Sequence, residues 1–250
     1  MAKDTPLAGK VALVTGGSRG LGRQMVLAFA DAGADVVVAS RKFQSCKEVA
    51  TEVEAKGRRA LPVACHVGHW DELDGLVEQA YEAFAHVDVL VNNAGMSPLY
   101  PDLPSVTEEL WDKVLGVNLK GPFRLTALVG TRMAQGDGGS IINISSSGSI
   151  RAAPHMLPYD AAKSGLNTLT EGFAKAFGPA VRVNCIMAGP FLTDISKAWP
   201  EEQRHTADNA LGRPGRPEEI VSAALFLASP ASSFTSGALV RVDGGLRIGQ

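Results

Sequence analysis

Two kinds of apolar spacing alternate along the chain. KVALVT (10–15), DVVVAS (35–40), RALPVA (59–64), VDVLVN (87–92), SIINIS (140–145), VRVNCI (181–186) and ALVRVD (238–243) are short, β-branched and mostly apolar throughout. Such runs are strands covered on both faces, because a strand with one wet face alternates instead. Between them lie stretches such as LGRQMVLAFADAG and WDELDGLVEQAYEAF, whose apolar residues recur at helical spacing; the first stops at Gly33. Strand–helix alternation requires right-handed crossovers and predicts a Rossmann-like, doubly wound α/β sheet of about seven mainly parallel strands with helices on both faces. No long polar linker, repeat or low-complexity tract breaks the pattern, so one domain over 1–250 is expected.

Two segments escape the alternation. MSPLYPDLPSVTEE (96–109) follows the fourth strand, and a longer, charged stretch (188–217) follows the sixth. Both leave the carboxyl ends of strands, where open α/β sheets bind ligands, and 188–217 is expected to act as a substrate lid. Composition narrows the partners. Of 250 residues, 45% are hydrophobic and 20% charged, with a net charge of −2, which gives no electrostatic reason for nucleic acid or an anionic membrane. Three scattered cysteines, Cys46, Cys65 and Cys185, form no disulfide framework. With no apolar run of signal-peptide or membrane-spanning form, a cytoplasmic protein is expected. His66 and His69 lack the further ligands a metal site needs, so no metal is expected.

The first strand runs into TGGSRGLG, placing Gly16, Gly20 and Gly22 at the start of a helix. Glycine allows a tight turn and close approach of backbone to a pyrophosphate, whose charge meets the helix N-terminus. The same letters satisfy GxSxG, a hydrolase nucleophile elbow at Ser18. That fold, however, draws part of its oxyanion hole from a strand–helix loop earlier in the chain, and only one strand precedes Ser18. The second strand ends in Ser40 and Arg41, where a carboxylate would hold the ribose 2′-hydroxyl of NAD(H). An arginine instead grips a 2′-phosphate, and Arg19 in the glycine turn lies within reach of the same group, so NADP(H) is favoured over NAD(H). Further on, Tyr159 and Lys163 sit one helical turn apart. An ammonium near a phenol favours phenolate and yields a proton donor and acceptor usable near neutral pH.

Together, TGGSRGLG (15–22), NNAG (92–95), VNLKG (117–121), Ser146, YDAAK (159–163) and SGALVRVDGG (236–245) resemble the short-chain dehydrogenase/reductase family, including 3-oxoacyl-carrier-protein reductase-like members, over essentially the whole chain. The resemblance implies an NADP(H)-dependent oxidoreductase acting on a small carbonyl or secondary alcohol. Tyr159 would be the general acid/base, with Lys163 lowering its pKa and binding the nicotinamide ribose. Ser146 would polarise the substrate oxygen, and Asn118 would hold a water in a proton relay. Gly16, Ser18, Arg19, Gly20, Leu21, Gly22, Ser40, Arg41, His66, Val67, Asn93, Ala94, Gly95 and Thr193 would line the cofactor. Two departures stand out: His66–Val67 replaces the family's usual Asp–Val at the adenine, and Ala188–Gly189–Pro190 replaces its usual Pro–Gly. A neutral imidazole accepts a hydrogen bond only in one tautomer. A homo-oligomer, tetramer or dimer, is expected from the family. The other reading of the scaffold is a nucleotide-binding regulator without catalysis.

Overall fold

A computed structural model describes residues 5–194, 196 and 199–246; residues 195, 197 and 198 of the expected lid lie outside this set. Strands β1 (Val11–Thr15), β2 (Asp35–Ser40), β3 (Ala60–Ala64), β4 (Val89–Asn92), β5 (Gly139–Ser146), β6 (Val181–Ala188) and β7 (Leu239–Val242) form one sheet in the order β3-β2-β1-β4-β5-β6-β7. All six ladders are parallel. Pro62, which cannot donate to a ladder, lies in β3 at the sheet's edge.

Alternate residues of each strand feed two cores. Ala12 and Val14 of β1 face one core, with Met25 and Phe29 of α1 (Gly20–Asp31), Val49 and Val53 of α2 (Phe43–Glu54), and Ala224 and Leu227 of the helix Val221–Ala228. Val11 and Leu13 face the other core, with Leu73 and Leu76 of α3 (Trp70–Phe84), and Leu125 and Val129 of α5 (Gly121–Gln135). Covering both faces explains why the strands lack alternation. α4 (Glu108–Leu115) begins at Thr107, whose hydroxyl accepts from Leu110 N at 3.1 Å, and a π turn at Gly116–Lys120 joins it to α5. α6 (Leu157–Phe177) follows β5, α7 (Glu201–His205) lies in the segment after β6, and Val221–Ala228 is α8. The strand order reverses direction between β1 and β4, which opens the ligand crevice at their carboxyl ends.

Candidate active site

The glycine turn and the β4 end meet across this crevice. Gly16 and Gly20 take φ of +65° and +51°, conformations that a side chain would strain. A Cβ on Gly22 would stand 2.2 Å from Gly16 O and 2.4 Å from Asn93 Nδ2, so only glycine lets α1 start this close to the turn. The Asn93 amide donates to Thr15 O (2.9 Å) and Gly16 O (3.2 Å), while Thr15 Oγ1 accepts from the amides of Asn93 and Ala94. Asn93 therefore braces the cradle. Leu21 packs onto the first core and Ala94 onto the second, Val67 is buried, and Gly95 is exposed to the crevice.

Ser18 and Ser40 share a hydrogen bond of 2.8 Å, bringing the glycine turn to the end of β2. Arg41 is exposed, and its charge is felt at His66. Arg19 is disposed differently from the sequence expectation: its guanidinium lies 3.6 Å from Asp194 of the segment after β6. Thr193 sits beside Gly20, 3.5 Å from where a Cβ would stand, so that segment already lies over the turn. Gly189 is equally constrained, since its Cβ would meet Asp243 Cα at 2.6 Å.

His66 Nδ1 accepts from Gly68 N at 3.2 Å. Burial, together with the charges of His69 and Arg41, holds the ring below its usual range and thus neutral. With Nδ1 an acceptor, this hydrogen-bond assignment puts the ring hydrogen on Nε2. In this tautomer the free edge of His66 is a donor. A cavity of about 590 Å³ opens beside it, lined by His66, Gly68, His69, Asp112 and Lys120 but by none of Ser146, Tyr159 and Lys163. Among the described residues no group of three or more His, Cys, Asp or Glu is arranged to hold a metal ion.

The remaining site residues gather where β5 meets α6. Ser146 ends β5, with its Oγ accepting from Gly148 N at 3.1 Å, and its hydroxyl lies close enough to the Tyr159 phenol to draw that phenol's pKa down. Lys163 is buried, and its Nζ donates to Ile144 O at 2.8 Å. The ammonium lies 5.7 Å from the centre of the Tyr159 ring. Burial raises Tyr159 above the ordinary phenol value, Ser146 draws it down, and the Asp160 charge raises it again. The i,i+4 spacing brings Lys163 to the Tyr159 ring, and the Ile144 carbonyl takes one of the ammonium's three hydrogens. Burial in turn brings Lys163 down to about 8. Asn118, fully buried in the π turn, donates to Met96 O (2.8 Å) and Val114 O (3.0 Å) and accepts from Met96 N (3.2 Å). Gly95 lies between the two, for a Cβ there would be 3.0 Å from Asn118 Oδ1 and 3.7 Å from Lys163 Nζ.

Two residues at this site, Tyr100 and Asp160, escaped the sequence reading. Tyr100, from the segment after β4, donates to Pro154 O at 2.7 Å and accepts from Leu157 N at 2.9 Å, capping α6. Arg151 reaches to 3.6 Å from Asp208, so the segments after β5 and β6 also touch. Asp160 is buried and binds Ala153 N at 2.7 Å. Its signal was visible: Asp160, Lys163, Asn167 and Thr170 recur at helical spacing, and all are buried.

The chain matches the family model described as Enoyl-(Acyl carrier protein) reductase over residues 16–247. It is 39% identical to a short chain dehydrogenase/reductase of Aspergillus oryzae, covering 97% of this chain and 96% of that one. It is 37% identical to 3-oxoacyl-(acyl-carrier-protein) reductase of Thermotoga maritima, covering 97% and 99%. Among solved structures, a blue fluorescent protein from a metagenomic library, in complex with NADPH, superposes with a TM-score of 0.91 at 35% identity, covering 96% of this chain and 99% of that one. With the parallel sheet, the glycine cradle and the Ser146–Tyr159 contact, these likenesses show that the chain belongs to the short-chain dehydrogenase/reductase family of oxidoreductases.

Proposed function

We propose that this protein is an NADP(H)-dependent enzyme that interconverts a small carbonyl compound and its secondary alcohol. The approach of the Ser146 hydroxyl to the Tyr159 phenol carries the reading: two hydroxyls converge beside the buried amine of Lys163, in the same fold as the glycine turn. The cradle fits a dinucleotide, because left-handed glycines and the bare Cα of Gly95 leave room that any side chain would fill. Gly16, Ser18, Gly20 and Gly22 hold the pyrophosphate, with Thr193 and Arg19 closing over it from the lid side. Ser40 and Arg41 receive the 2′-phosphate, with the exposed Arg41 offering its planar donors and Ser18 holding the end of β2 to the glycine turn. His66 donates from Nε2 to an adenine ring nitrogen, beside Val67. Asn93 positions Ala94 and Gly95 along the ribose and nicotinamide. When bound, the nicotinamide supplies or takes the hydride.

The chain's own residues handle the proton. Ser146 hydrogen-bonds the substrate oxygen and stabilises charge developing on it. Tyr159 gives its proton to that oxygen in reduction and recovers it in oxidation. Lys163 has three donors and gives one to Ile144 O, leaving two for ribose hydroxyls. Asn118 Oδ1 and Lys163 Nζ both approach Gly95, and a water held between them would relay protons to solvent. A single domain, 1–250, carries both halves of the site, with 188–217 as its lid. The protein works in the cytoplasm as a homo-oligomer, tetramer or dimer; exposed Trp111 on α4 and Phe123 on α5 support a self-association face. No described helix is long and apolar enough to cross a membrane.

A panel of ketones and aldehydes assayed with NADPH and NADH in parallel tests this reading. Turnover with NADPH preferred is expected, and Arg41→Ala should erase most of that preference. Tyr159→Phe should lower kcat by about 10²–10⁴-fold with NADPH affinity retained. Nucleotide binding without turnover across the panel would move the protein to the regulatory reading, and full activity in Tyr159→Phe would end the proton-transfer assignment.

A further inference from the structure

The turn after β3 clamps His66. Its backbone N donates to Glu72 Oε2 at 2.6 Å, and Glu72 Oε1 lies 2.7 Å from Nδ1 of His69, whose ring stacks on that of His66 with centroids 4.2 Å apart. Gly68 N donates to His66 Nδ1 at 3.2 Å. A Cβ on Gly68 would stand 3.0 Å from His66 Cε1, so glycine lets the backbone close onto the ring. A backbone amide only donates, which makes Nδ1 a bare acceptor. A ring turned over would set a carbon against that amide, and a doubly protonated ring would oppose hydrogen to hydrogen. The single ring hydrogen therefore sits on Nε2. Among the described residues nothing bonds Nε2, and the ring borders the cavity of about 590 Å³.

The place of this donor in the fold decides what it meets. Cys65 N, one residue before His66, donates to Ser40 O at 3.0 Å, and Ser40 in turn bonds Ser18 of the glycine turn at 2.8 Å. The glycine turn, the end of β2 and His66 thus follow one another along the carboxyl ends of β1, β2 and β3. A dinucleotide with its pyrophosphate on the first and its ribose phosphate on the second brings its purine to the third. Resting on the function proposed above, we propose that His66 reads this purine with a donor, so that the site takes a hypoxanthine dinucleotide at least as readily as the adenine one. Adenine carries an exocyclic amino donor where hypoxanthine, like guanine, carries an oxygen acceptor. A donor facing the base bonds adenine only through a ring nitrogen and leaves its amino group unread, whereas it bonds the hypoxanthine oxygen directly. A carboxylate at the same position would do the reverse, accepting from the amino group and repelling the oxygen.

Calorimetric titration with NADPH and with its hypoxanthine analogue, deamino-NADPH, gives two Kd values and needs no carbonyl substrate. The unaltered protein should bind the analogue as tightly as NADPH or more tightly. In His66→Asp the ratio should swing toward NADPH by about tenfold or more, as a carboxylate gains the amino group and loses the oxygen. A purely structural loss would weaken both nucleotides alike and leave the ratio in place. Should the aspartate variant fold poorly, the unaltered protein supplies a second reading. It has five histidines, so a nitrogen spectrum of isotope-labelled histidine, with His66 assigned by His66→Asn, shows which ring nitrogen carries the hydrogen. A hydrogen on Nε2 and none on Nδ1 is expected. An unaltered protein that binds NADPH more tightly than the analogue, or a hydrogen on Nδ1, would overturn the inference and leave the proposed function standing. Binding of neither nucleotide would overturn the proposed function and the inference with it.

Discussion

Lys163 offers a test in which stability and pH dependence check each other. It is 3% exposed, and burial brings it from 10.5 to about 8. That fall corresponds to about 3 kcal/mol by which the buried charge destabilises the fold at neutral pH. Lys163→Met removes this cost but leaves the Ile144 carbonyl without its 2.8 Å partner, a loss of about 1–3 kcal/mol. The variant should therefore be about as stable as the parent, or up to about 2 kcal/mol more stable, near pH 7. The sign of the pH dependence is sharper. Between about 8 and 10.5 the unfolded chain binds the Lys163 proton more tightly than the folded one, so the parent gains stability as pH rises, and the variant cannot. Relative to the parent, the variant should lose about 2 kcal/mol between pH 7 and about pH 9.5. At about 2–4 °C per kcal/mol for a chain of this size, the difference in Tm moves by about 4–8 °C. Calorimetric melts of both proteins across this range measure it directly. Parallel Tm curves would show that Lys163 keeps its ordinary affinity for a proton, and would refute the burial argument.

Two further perturbations probe the cradle and the substrate mouth. Gly22→Ala places a Cβ 2.2 Å from Gly16 O, so overpacking should cost about 1–3 kcal/mol and weaken NADPH binding, read by nucleotide fluorescence; Gly75→Ala, with nothing within 4 Å of its Cβ on α3, should instead stabilise by up to about 1 kcal/mol. Equal melting temperatures for the two variants would refute the close-approach argument. Tyr100→Phe removes the phenol oxygen that bonds Pro154 O and Leu157 N, so α6 should lose about 0.5–2 kcal/mol of capping, and KM for the carbonyl should rise with nucleotide Kd unchanged. An unchanged Tm and KM would show that this contact carries no load.

Much of the fold was legible because covered strands announce themselves. All seven apolar runs became strands, and the all-parallel sheet followed from the helices between them. The ends of β5 and β6 were less legible. Their ladder continues through Ser145–Met187 and Ser146–Ala188, beyond where the apolar pattern of β5 stops, because backbone pairing does not need apolar side chains. At the site, the order of motifs pointed to Ser146, Tyr159 and the glycine turn; Ser146 ends β5, the glycine turn follows β1, and Ser146 approaches Tyr159. Orientation was not legible. Arg19 turned to Asp194, and Lys163 turned to Ile144 O, because each found its partner in a segment far along the chain that spacing alone does not place.

The buried stripe on α6 shows what kind of reasoning closes that gap. A helix laid on the apolar middle of a sheet should carry an apolar stripe, yet Asp160, Lys163, Asn167 and Thr170 all lie buried on α6. Each of these residues needs a partner, and each finds at least one in the β5 strand or the segment after it, although Asp160 Oδ1 has none. Lys163 takes Ile144 O, Asn167 takes Ser149 Oγ, Thr170 takes Asn143 Nδ2 and Asp160 takes Ala153 N. Asn143 is itself an unusual residue for a buried strand, and it passes the network on by accepting from Asn92 Nδ2 on β4. Four polar positions at helical spacing, opposite a strand that contains asparagine and ends in serines, thus predict a polar seam rather than a failed core. Its partners are backbone groups and short side chains of β5 and of the segment that follows it. It follows that the two hydroxyls are held by the rigid interior, while Tyr100 and Arg151 tie the segments around them, so substitutions along the seam should disturb the proton chemistry and substitutions at the mouth the choice of substrate.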